Sequence, residues 1–362
     1  MNSLTVKIFI FIIHLYLLEN AITEDVIVFY ILELGQSSCR YSGNHDDSNE
    51  GSYKDKLELS KLPENECTSY IYYGMSCSDD SKIVPFESPD DLTNIKSLTN
   101  FSSKVFIFYG QTSIDFWSSE NFNDKIETEA QNLKEFIDEY PVAGLILTKL
   151  EYPVVTDNFY EKFQSYVASL KSKNPKLKIG LYFKALTMVL YPANDINWFD
   201  FSKINDIMDF YLITFHDFNI CYEEIMHIGT TPLELADPNV HSLVQFAATL
   251  TVSALAKEKV YLEFVLTPSV YSVHSGVKHC EVTYDQYCKR DYRDSWCADN
   301  ATTFYEKGVF AKQYAAGWVG SDIDLIDRNI SCGCNGDQFF SFHMILDGYK
   351  NKTMRTCDFK FG

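Results

Sequence analysis

The sequence predicts an α/β protein with the fold of a (β/α)8 TIM barrel. Short apolar runs recur along the chain, and segments with helical spacing lie between them. The runs are apolar on both faces, which is typical of parallel strands covered by helices. Eightfold alternation of such strands with helices indicates a closed barrel. The candidate strands are VIVFYILEL at 26–34, SYIYYG at 69–74, KVFIFYG at 104–110, AGLILT at 143–148, LKIGLYF at 177–183, DFYLITF at 209–215, KVYLEFVL at 259–266 and FFSFHMIL at 339–346.

One intervening helix is clear between the fourth and fifth runs. Asp157 is a candidate N-cap, and Asn174-Pro175 ends the helical pattern. Apolar residues follow at helical spacing between these limits, namely Phe159, Phe163, Tyr166, Val167 and Leu170.

The stretch from Thr267 to Val319 is too long for a single connection between barrel elements. It contains Cys280, Cys288 and Cys297. We therefore predict a small cysteine-containing insertion after the seventh strand, at about 267–319. The rest of the chain shows no repeat and no low-complexity linker, so residues 24–362 are predicted to form one domain.

The N-terminus has the pattern of a secretory signal peptide. Lys7 precedes an apolar run from Ile8 to Leu18, and small and polar residues follow up to Thr23. We assign residues 1–23 to the signal. No later stretch approaches the ~18 apolar residues that a membrane-spanning helix needs. The sequence thus predicts a secreted, extracellular protein that does not cross a membrane.

The ten cysteines all follow the predicted signal, and an even number in an exported chain indicates up to five disulfide bonds. We expect Cys39 and Cys67 to be bridged, joining the exit of the first strand to the start of the second; the other pairings stay open. A zinc site is disfavoured because only Cys332 and Cys334 are close together. No metal and no cofactor are predicted.

Four sequons for N-glycosylation, at Asn100, Asn300, Asn329 and Asn351, agree with export through a eukaryotic secretory pathway. The formal net charge is −19, and the sequence contains no block of clustered Lys and Arg. Binding to nucleic acid depends on clustered Lys and Arg, so a nucleic-acid partner is disfavoured.

The order of several segments resembles glycoside hydrolase family 18, the chitinases and chitinase-like lectins. The resemblance covers nearly the whole mature chain and depends on the order of the segments, since none of them is specific alone. The matching segments are CTSYIYYG from Cys67, KVFIFYG with Phe116, AGLILTKLEYP at 143–153, DFYLITFHD at 209–217, TTPL at 230–233, KVYL at 259–262 and VTYDQYC at 282–288.

The family motif on the fourth strand reads Asp-Gly-x-Asp-x-Asp-x-Glu-Tyr-Pro. The resemblance implies a protonated glutamic acid beside the scissile oxygen, with aspartates that orient the acetamide group of the substrate. The chain has one residue too many for this motif. Aligned on Gly144, the acid position is Leu150; aligned on Glu151-Tyr152-Pro153, Glu151 is the acid and Lys149 replaces an aspartate.

We favour the second alignment, because it places the charges of Lys149 and Glu151 at the hydrated barrel mouth. It directs Ile146, Thr148 and Leu150 toward the helices. Neither alignment leaves an aspartate on the strand. A lysine beside Glu151 would also favour the ionised carboxylate, which is the opposite of what a general acid needs.

Two further positions depart from the family pattern. A tyrosine that contacts the acetamide in the family appears as His216, beside a retained Asp217. The family's eighth-strand tryptophan has no counterpart after Trp318, and we expect Phe340, Phe342 or Met344 to fill its space. The His216-Asp217 pair lacks an accompanying nucleophile motif, so a structural pair is favoured over a hydrolytic dyad.

The sequence therefore predicts a secreted, disulfide-bonded, glycosylated chitinase-like protein that has lost catalysis. We expect it to bind a chitin-type carbohydrate through Lys149, Tyr152, His216 and Asp217, or to act as an extracellular effector. One alternative is an active hydrolase that uses Glu151 as its general acid. Another is a barrel that binds an extracellular protein and no sugar.

A first experiment concerns export. Expressed in eukaryotic cells, the chain should be secreted with its mature N-terminus at or near Glu24, since the signal pattern ends at Thr23. N-terminal sequencing of the secreted protein checks this. Retention of Lys7 in the secreted protein would contradict it.

Overall fold

The computed structural model describes residues 36–41, 58–63, 65–86, 88, 90–102, 104–111, 116–117, 119–148, 158–190, 199–234, 237–270, 283–289, 296–327 and 329–357. The predicted signal peptide lies outside these residues. The same is true of Lys149, Leu150, Glu151 and Tyr152.

Eight parallel strands form a closed barrel, which confirms the predicted fold class. The barrel closes because β1 pairs with β11 on one side and with β2 on the other. In order around the barrel the strands are β1 (Ser37–Tyr41), β2 (Ser69–Cys77), β4 (Val105–Gln111), β5 (Gly144–Leu147), β6 (Lys178–Lys184), β7 (Phe210–Thr214), β8 (Val260–Val265) and β11 (Gly317–Ser321). A short strand, β3 (Ile83–Pro85), pairs with the end of β2 in the antiparallel direction.

Two of the eight barrel strands are not the predicted runs. The strand that closes the barrel is Ser37–Tyr41, and not the apolar run at 26–34, which lies outside the described residues. The run at 339–346 belongs to a helix, Phe340–Tyr349, and the eighth strand is Gly317–Ser321. A short apolar run fits a buried helix as well as a buried strand, and periodicity alone does not separate the two.

Helices pack around the barrel between the strands. The predicted helix before Asn174 is confirmed, although Asn158 is its N-cap residue where Asp157 was expected. The helices in the described residues are α1 (Asp90–Phe101), α2 (Phe122–Glu139), α3 (Phe159–Lys173), α4 (Ala185–Leu190), α5 (Leu243–Val252), α6 (Tyr284–Lys289), α7 (Ala301–Tyr314) and α8 (Phe340–Tyr349).

Aromatic and branched side chains fill the barrel interior. The rings of Phe106 on β4 and Phe210 on β7 meet edge to face at 5.5 Å, although two strands separate β4 from β7 around the barrel. This contact is possible only across the interior. Ile71, Phe108, Ile146, Leu212, Tyr261 and Val319 belong to the same buried cluster.

Trp318 lies on the eighth strand but outside this interior cluster. Its ring packs at 5.0 Å from that of Phe342 on α8, among the residues between the barrel and the helices. Val319, the next residue, points inward. The eighth strand therefore contains a tryptophan, yet its ring does not form the floor of the mouth, and Phe342 packs on the helical side as well.

Four disulfide bonds join described cysteines, and the predicted bond between Cys39 and Cys67 is confirmed. The others link Cys221 to Cys297, Cys288 to Cys332 and Cys334 to Cys357. After β8 the chain forms β9 (Ser269–Val270), α6, β10 (Trp296–Cys297) and α7 in that order, and β9 pairs with β10 in a small antiparallel sheet. The boundaries of the insertion at about 267–319 and the end of the signal peptide at residue 23 remain predictions.

A histidine ties α8 to the segment before β2. His343 contacts Glu66 through Nε2 at 2.6 Å and Asp337 through Nδ1 at 2.6 Å. Although burial opposes it, these two carboxylates raise the pKa of His343 above its ordinary value.

Within the described ranges, no helix is long and apolar enough to cross a membrane.

Glycines opposite aromatic rings give the interior its shape, and this yields a stability test. A Cβ at Gly180 would lie 2.1 Å from the ring of Phe210. We expect Gly180→Ala to lower the free energy of unfolding by ~1–3 kcal/mol, because the interior cannot accept extra volume. Chemical denaturation of Gly180→Ala, Phe210→Leu and the double variant checks the cause. The double variant should be more stable than the two single effects predict; simple additivity would contradict the clash.

Candidate functional site

Ionisable side chains from four strands meet at the carboxyl ends of the barrel strands, where barrel enzymes hold their active sites. We call this set the mouth cluster. It consists of Arg40 on β1, His216 just after β7, Glu263 on β8 and Asp322 just after β11.

Arg40 is the centre of the mouth cluster. Its Nη1 donates to Glu263 Oε1 at 2.9 Å, and its Nη2 donates to Asp322 Oδ1 at 3.0 Å. The same Nη2 lies 3.1 Å from His216 Nε2. The side chain of Arg40 is 15% exposed, and those of Glu263 and Asp322 are 0% and 6% exposed. A buried guanidinium with two carboxylate partners is a fixed element of the mouth.

The two carboxylates differ in their remaining contacts. Burial opposes ionisation of Asp322, but Arg40 and His216 hold its pKa below the ordinary value. Asp322 also adopts a left-handed backbone conformation, with φ of 57°, where β11 leaves the barrel. Glu263 Oε2 has no hydrogen-bond partner among the described residues. Because its pKa is lowered, Asp322 is an ionised acceptor at neutral pH.

His216 lies at the mouth, as the sequence predicted, but it is not paired with Asp217. Its imidazole contacts Arg40, whereas the side chain of Asp217 is 81% exposed and lies 3.6 Å from Lys184. Burial and the nearby Arg40 charge lower the pKa of His216 below its ordinary value. The imidazole is therefore neutral at physiological pH, and the expected His216-Asp217 pair is replaced by a contact with Arg40.

The inward face of the fourth barrel strand carries no carboxylate in its described part. Ile146 lies in the interior cluster, whereas Leu145 and Leu147 lie between the barrel and the helices. The expectation that Ile146 faces the helices is therefore wrong. Because side chains alternate along a strand, Thr148 follows Ile146 on the inward side. Thr148 is half-buried, and its backbone N–H donates to Tyr109 O at 2.9 Å.

Aromatic rings line the same region of the barrel. Phe108 lies between Tyr73 and Tyr182, with ring centroids at 5.3 and 5.2 Å. Burial opposes the charged form of Arg40, but Asp322, Glu263 and Tyr182 raise its pKa, which places the ring of Tyr182 close to the mouth cluster. Aromatic side chains beside fixed polar groups are common features of sites that bind small ligands.

Arg40, Glu263 and Asp322 were not identified from the sequence. Glu263 interrupts an apolar run, VYLEFV, and it stands two residues after the inward Tyr261. That alternation is the signal that could have marked it as an interior charge. Arg40 and Asp322 stand outside the apolar runs, and they are 282 residues apart in the chain, so their contact left no local pattern.

The predicted glycosylation sites lie on the outside of the fold. Asn100 on α1, Asn329 and Asn351 are exposed. Asn300 is half-buried and caps α7, where its side chain accepts from Thr303 N at 2.9 Å. In the part of the chain that the structure describes, no group of three or more His, Cys, Asp or Glu side chains is arranged to hold a metal ion.

Comparison with known proteins extends the description of the fold. No family model and no curated protein matches the sequence. Among solved structures, catalytic domain 2 of the Group II chitinase of Ostrinia furnacalis superimposes with a TM-score of 0.69. It is 14% identical, and the match covers 89% of this chain and 98% of that one. The chain has the fold of a chitinase.

Other chitinase-like proteins share this fold. An immunomodulatory active chitinase from Trichuris suis, TsES1, gives a TM-score of 0.64 at 14% identity, covering 86% of this chain and 99% of that one. Human YKL-39, a pseudo-chitinase with retained chitooligosaccharide binding, gives 0.62 at 13% identity, covering 87% and 99%. The solved structures with this fold thus include both active chitinases and a pseudo-chitinase.

Two histidines among the described residues have shifted pKa values, and they should affect stability in opposite directions. His216 has a lowered pKa in the folded state, so its contribution is present above pH 6.5 and is lost as pH falls through the folded value. His343 has a raised pKa, so its contribution is present below pH 6.5 and is lost as pH rises through the folded value.

We therefore expect His216→Gln to gain stability relative to the wild type between pH 7.5 and 5.5, by up to ~1 kcal/mol. His343→Gln should lose stability relative to the wild type over the same interval. Urea unfolding at both pH values measures the two differences, and each variant is the control for the other. Shifts of the same sign in both would contradict the assignment.

Proposed function

We propose that this chain is a secreted chitinase-like protein that binds chitin-type carbohydrate, with N-acetylglucosamine units, and does not hydrolyse it. The carrying observation is the inward position of Ile146 in the barrel core. The alignment on Gly144 then places Ile146 and Thr148 at the aspartate positions of the motif and Leu150 at the glutamate position. The position of Ile146 therefore supports the alignment on Gly144, which was not the one favoured from the sequence alone.

Loss of these carboxylates removes the chemistry of the family. General acid catalysis contributes ~10²- to 10⁴-fold and needs a carboxyl group that holds a proton near the working pH. Substrate assistance also needs a polar group that orients the acetamide. Ile146 supplies neither function, and its aliphatic side chain packs with Phe106, Phe108 and Phe210.

The carboxylates of the mouth cluster do not replace the lost acid. Asp322 is held ionised beside Arg40, with a pKa below its ordinary value. Glu263 forms an ion pair with Arg40 and is completely buried, so a glycosidic oxygen cannot approach it in this arrangement. Both side chains are better suited to fixing Arg40 than to giving a proton to a substrate.

The alternative of an active hydrolase depends on Glu151. Glu151 lies outside the described residues, and the alignment on Gly144 that the inward Ile146 supports gives the glutamate position to Leu150. A protein-binding barrel without a sugar ligand is the other alternative. The aromatic rings of Tyr73 and Tyr182 near the mouth favour a sugar, since they supply flat apolar surface beside polar groups.

Two solved structures support binding without catalysis. YKL-39 is a pseudo-chitinase that retains chitooligosaccharide binding. A glutamate-to-leucine mutant of the Ostrinia domain was crystallised in complex with penta-N-acetylchitooctaose. An oligosaccharide thus binds to one protein of this fold that is a pseudoenzyme and to another in which a glutamate has been replaced. We propose the same separation of binding from catalysis here.

Secretion and glycosylation are part of the proposal. The signal pattern at 1–23, the four disulfide bonds and the exposed sequon residues Asn100, Asn329 and Asn351 support it. Disulfide bonds form and persist in the secretory pathway and outside the cell.

The catalytic half of the proposal is tested with a fluorogenic chitooligosaccharide. The purified protein should release fluorophore at the rate of the buffer, and Glu151→Gln should not alter this. Turnover in the wild type that disappears in Glu151→Gln would show an active site and overturn the proposal.

The binding half is tested with a glycan array, followed by calorimetry with the oligosaccharides that bind. We expect binding to N-acetylglucosamine oligomers. Tyr182→Ala should weaken it by ~1–3 kcal/mol if this ring stacks on a sugar, because aromatic side chains dominate the energetics of such sites. Tyr140→Ala is the matched control, because Tyr140 ends α2 just before β5 begins and therefore lies toward the amino ends of the strands, away from the mouth. Absence of any glycan binding would favour the protein-binding alternative.

A further inference from the structure

The contact between Arg40 and His216 fixes the direction of one hydrogen bond at the mouth. Arg40 Nη2 lies 3.1 Å from His216 Nε2. A guanidinium group only donates hydrogen bonds and stays protonated in proteins. His216 Nε2 must therefore accept, so it carries no proton. A neutral imidazole with an unprotonated Nε2 holds its proton on Nδ1.

Arg40 is itself held in one orientation. Glu263 binds Nη1 at 2.9 Å, and Asp322 binds Nη2 at 3.0 and 3.2 Å. These partners come from β8 and from the end of β11, on the side of the barrel where β1 closes it. The guanidinium cannot turn away from His216 without breaking a buried ion pair.

The proton on Nδ1 is available to a ligand. No hydrogen bond to His216 Nδ1 is present in the described residues, and the side chain is 29% exposed. The other contact of this residue is through its backbone N–H, which donates to Thr214 Oγ1 at 3.1 Å. The mouth thus contains a neutral, oriented N–H donor without an acceptor of its own among the described residues.

We propose that Arg40 is a positioning residue: it holds His216 as the Nδ1–H tautomer, and this N–H donates to the acetamide carbonyl of an N-acetylated sugar. The identity of the ligand rests on the proposed function and on the family resemblance, which implies an acetamide contact at the position of His216. The mouth cluster carries one positive and two negative side chains with a neutral imidazole, so an anionic acceptor is disfavoured. A carbonyl oxygen is the strong neutral acceptor on a chitin-type glycan, and a deacetylated unit has a protonated amine that cannot accept this bond.

The arrangement also depends on pH. The charged groups that face His216 are Arg40, Glu263 and Asp322, together with Asp217 from its own segment. Protonation of Nε2 would place two cations in direct contact and break the hydrogen bond from Arg40. Since burial and Arg40 lower the pKa of His216, the neutral tautomer should persist somewhat below pH 6.5 and disappear on further acidification.

The first experiment is ¹⁵N NMR of the histidine side chains in the protein without ligand. At pH 7 we expect the His216 signals of a neutral ring with its proton on Nδ1. The variant Arg40→Met with Glu263→Gln removes one cation and one carboxylate together, and it should show a mixture of tautomers. Arg40→Lys keeps a donor and should retain the wild-type signals in part. A proton on Nε2, or a cationic ring at pH 7, in the wild type would overturn the proposal.

The second experiment compares penta-N-acetylchitopentaose with the fully deacetylated pentamer by calorimetry. His216→Phe should weaken binding of the acetylated ligand roughly threefold to tenfold, the effect of one uncharged hydrogen bond, and leave the deacetylated ligand unchanged. His216→Gln keeps an N–H donor and should retain affinity while losing the decline at low pH.

The outcomes separate the two proposals. Equal affinity for both ligands, tighter binding of the deacetylated one, or no effect of His216→Phe would overturn the role of His216 while carbohydrate binding stands. If neither ligand binds, the proposed function is wrong and the ligand assignment falls with it. The NMR result still decides in that case whether Arg40 sets the tautomer.

Discussion

Closure of the barrel by β1 is the constraint on which the other features depend. This strand has only five residues, and it joins β11 to β2 through parallel pairing on both edges. Once the sheet is closed, each side chain on a barrel strand faces either the interior or the helices. Arg40 is then an interior residue and Cys39 an exterior one. The mouth cluster exists because β1 brings a guanidinium to the strands that carry Glu263 and Asp322.

The central barrel strands could be predicted from sequence because each is an apolar run of the right length. The two ends of the barrel could not. Ser37–Tyr41 (SSCRY) and Gly317–Ser321 (GWVGS) are interrupted by serine, glycine and arginine, so neither is a continuous apolar run. Conversely, α8 is buried along most of its length, and α7 packs closely against it. A Cβ at Gly308 or Gly348 would lie 2.0 or 2.1 Å from the facing helix backbone. A fully buried helix resembles a buried strand in composition.

The candidate site was predictable only in part. The position of His216 followed from the family pattern, whereas its partner did not, because Arg40 is 176 residues away in the chain. The hydration of charged side chains favours one alignment of the fourth strand, but that criterion depends on residues beyond the strand. Ile146 supports the other alignment from within the strand, because one residue of known direction gives the direction of its described neighbours by alternation.

The position of the Cys39–Cys67 bond has a consequence for chemical reactivity. Cys39 is 0% exposed and Cys67 is 5% exposed, so a small thiol cannot approach either sulfur while the barrel is closed. Thiol exchange requires direct attack on a sulfur atom, so reductant would act only on molecules in which this seam has opened. The rate of reduction would then report how often β1 separates from its neighbours. Since Arg40 is the next residue, the same opening would dismantle the mouth cluster.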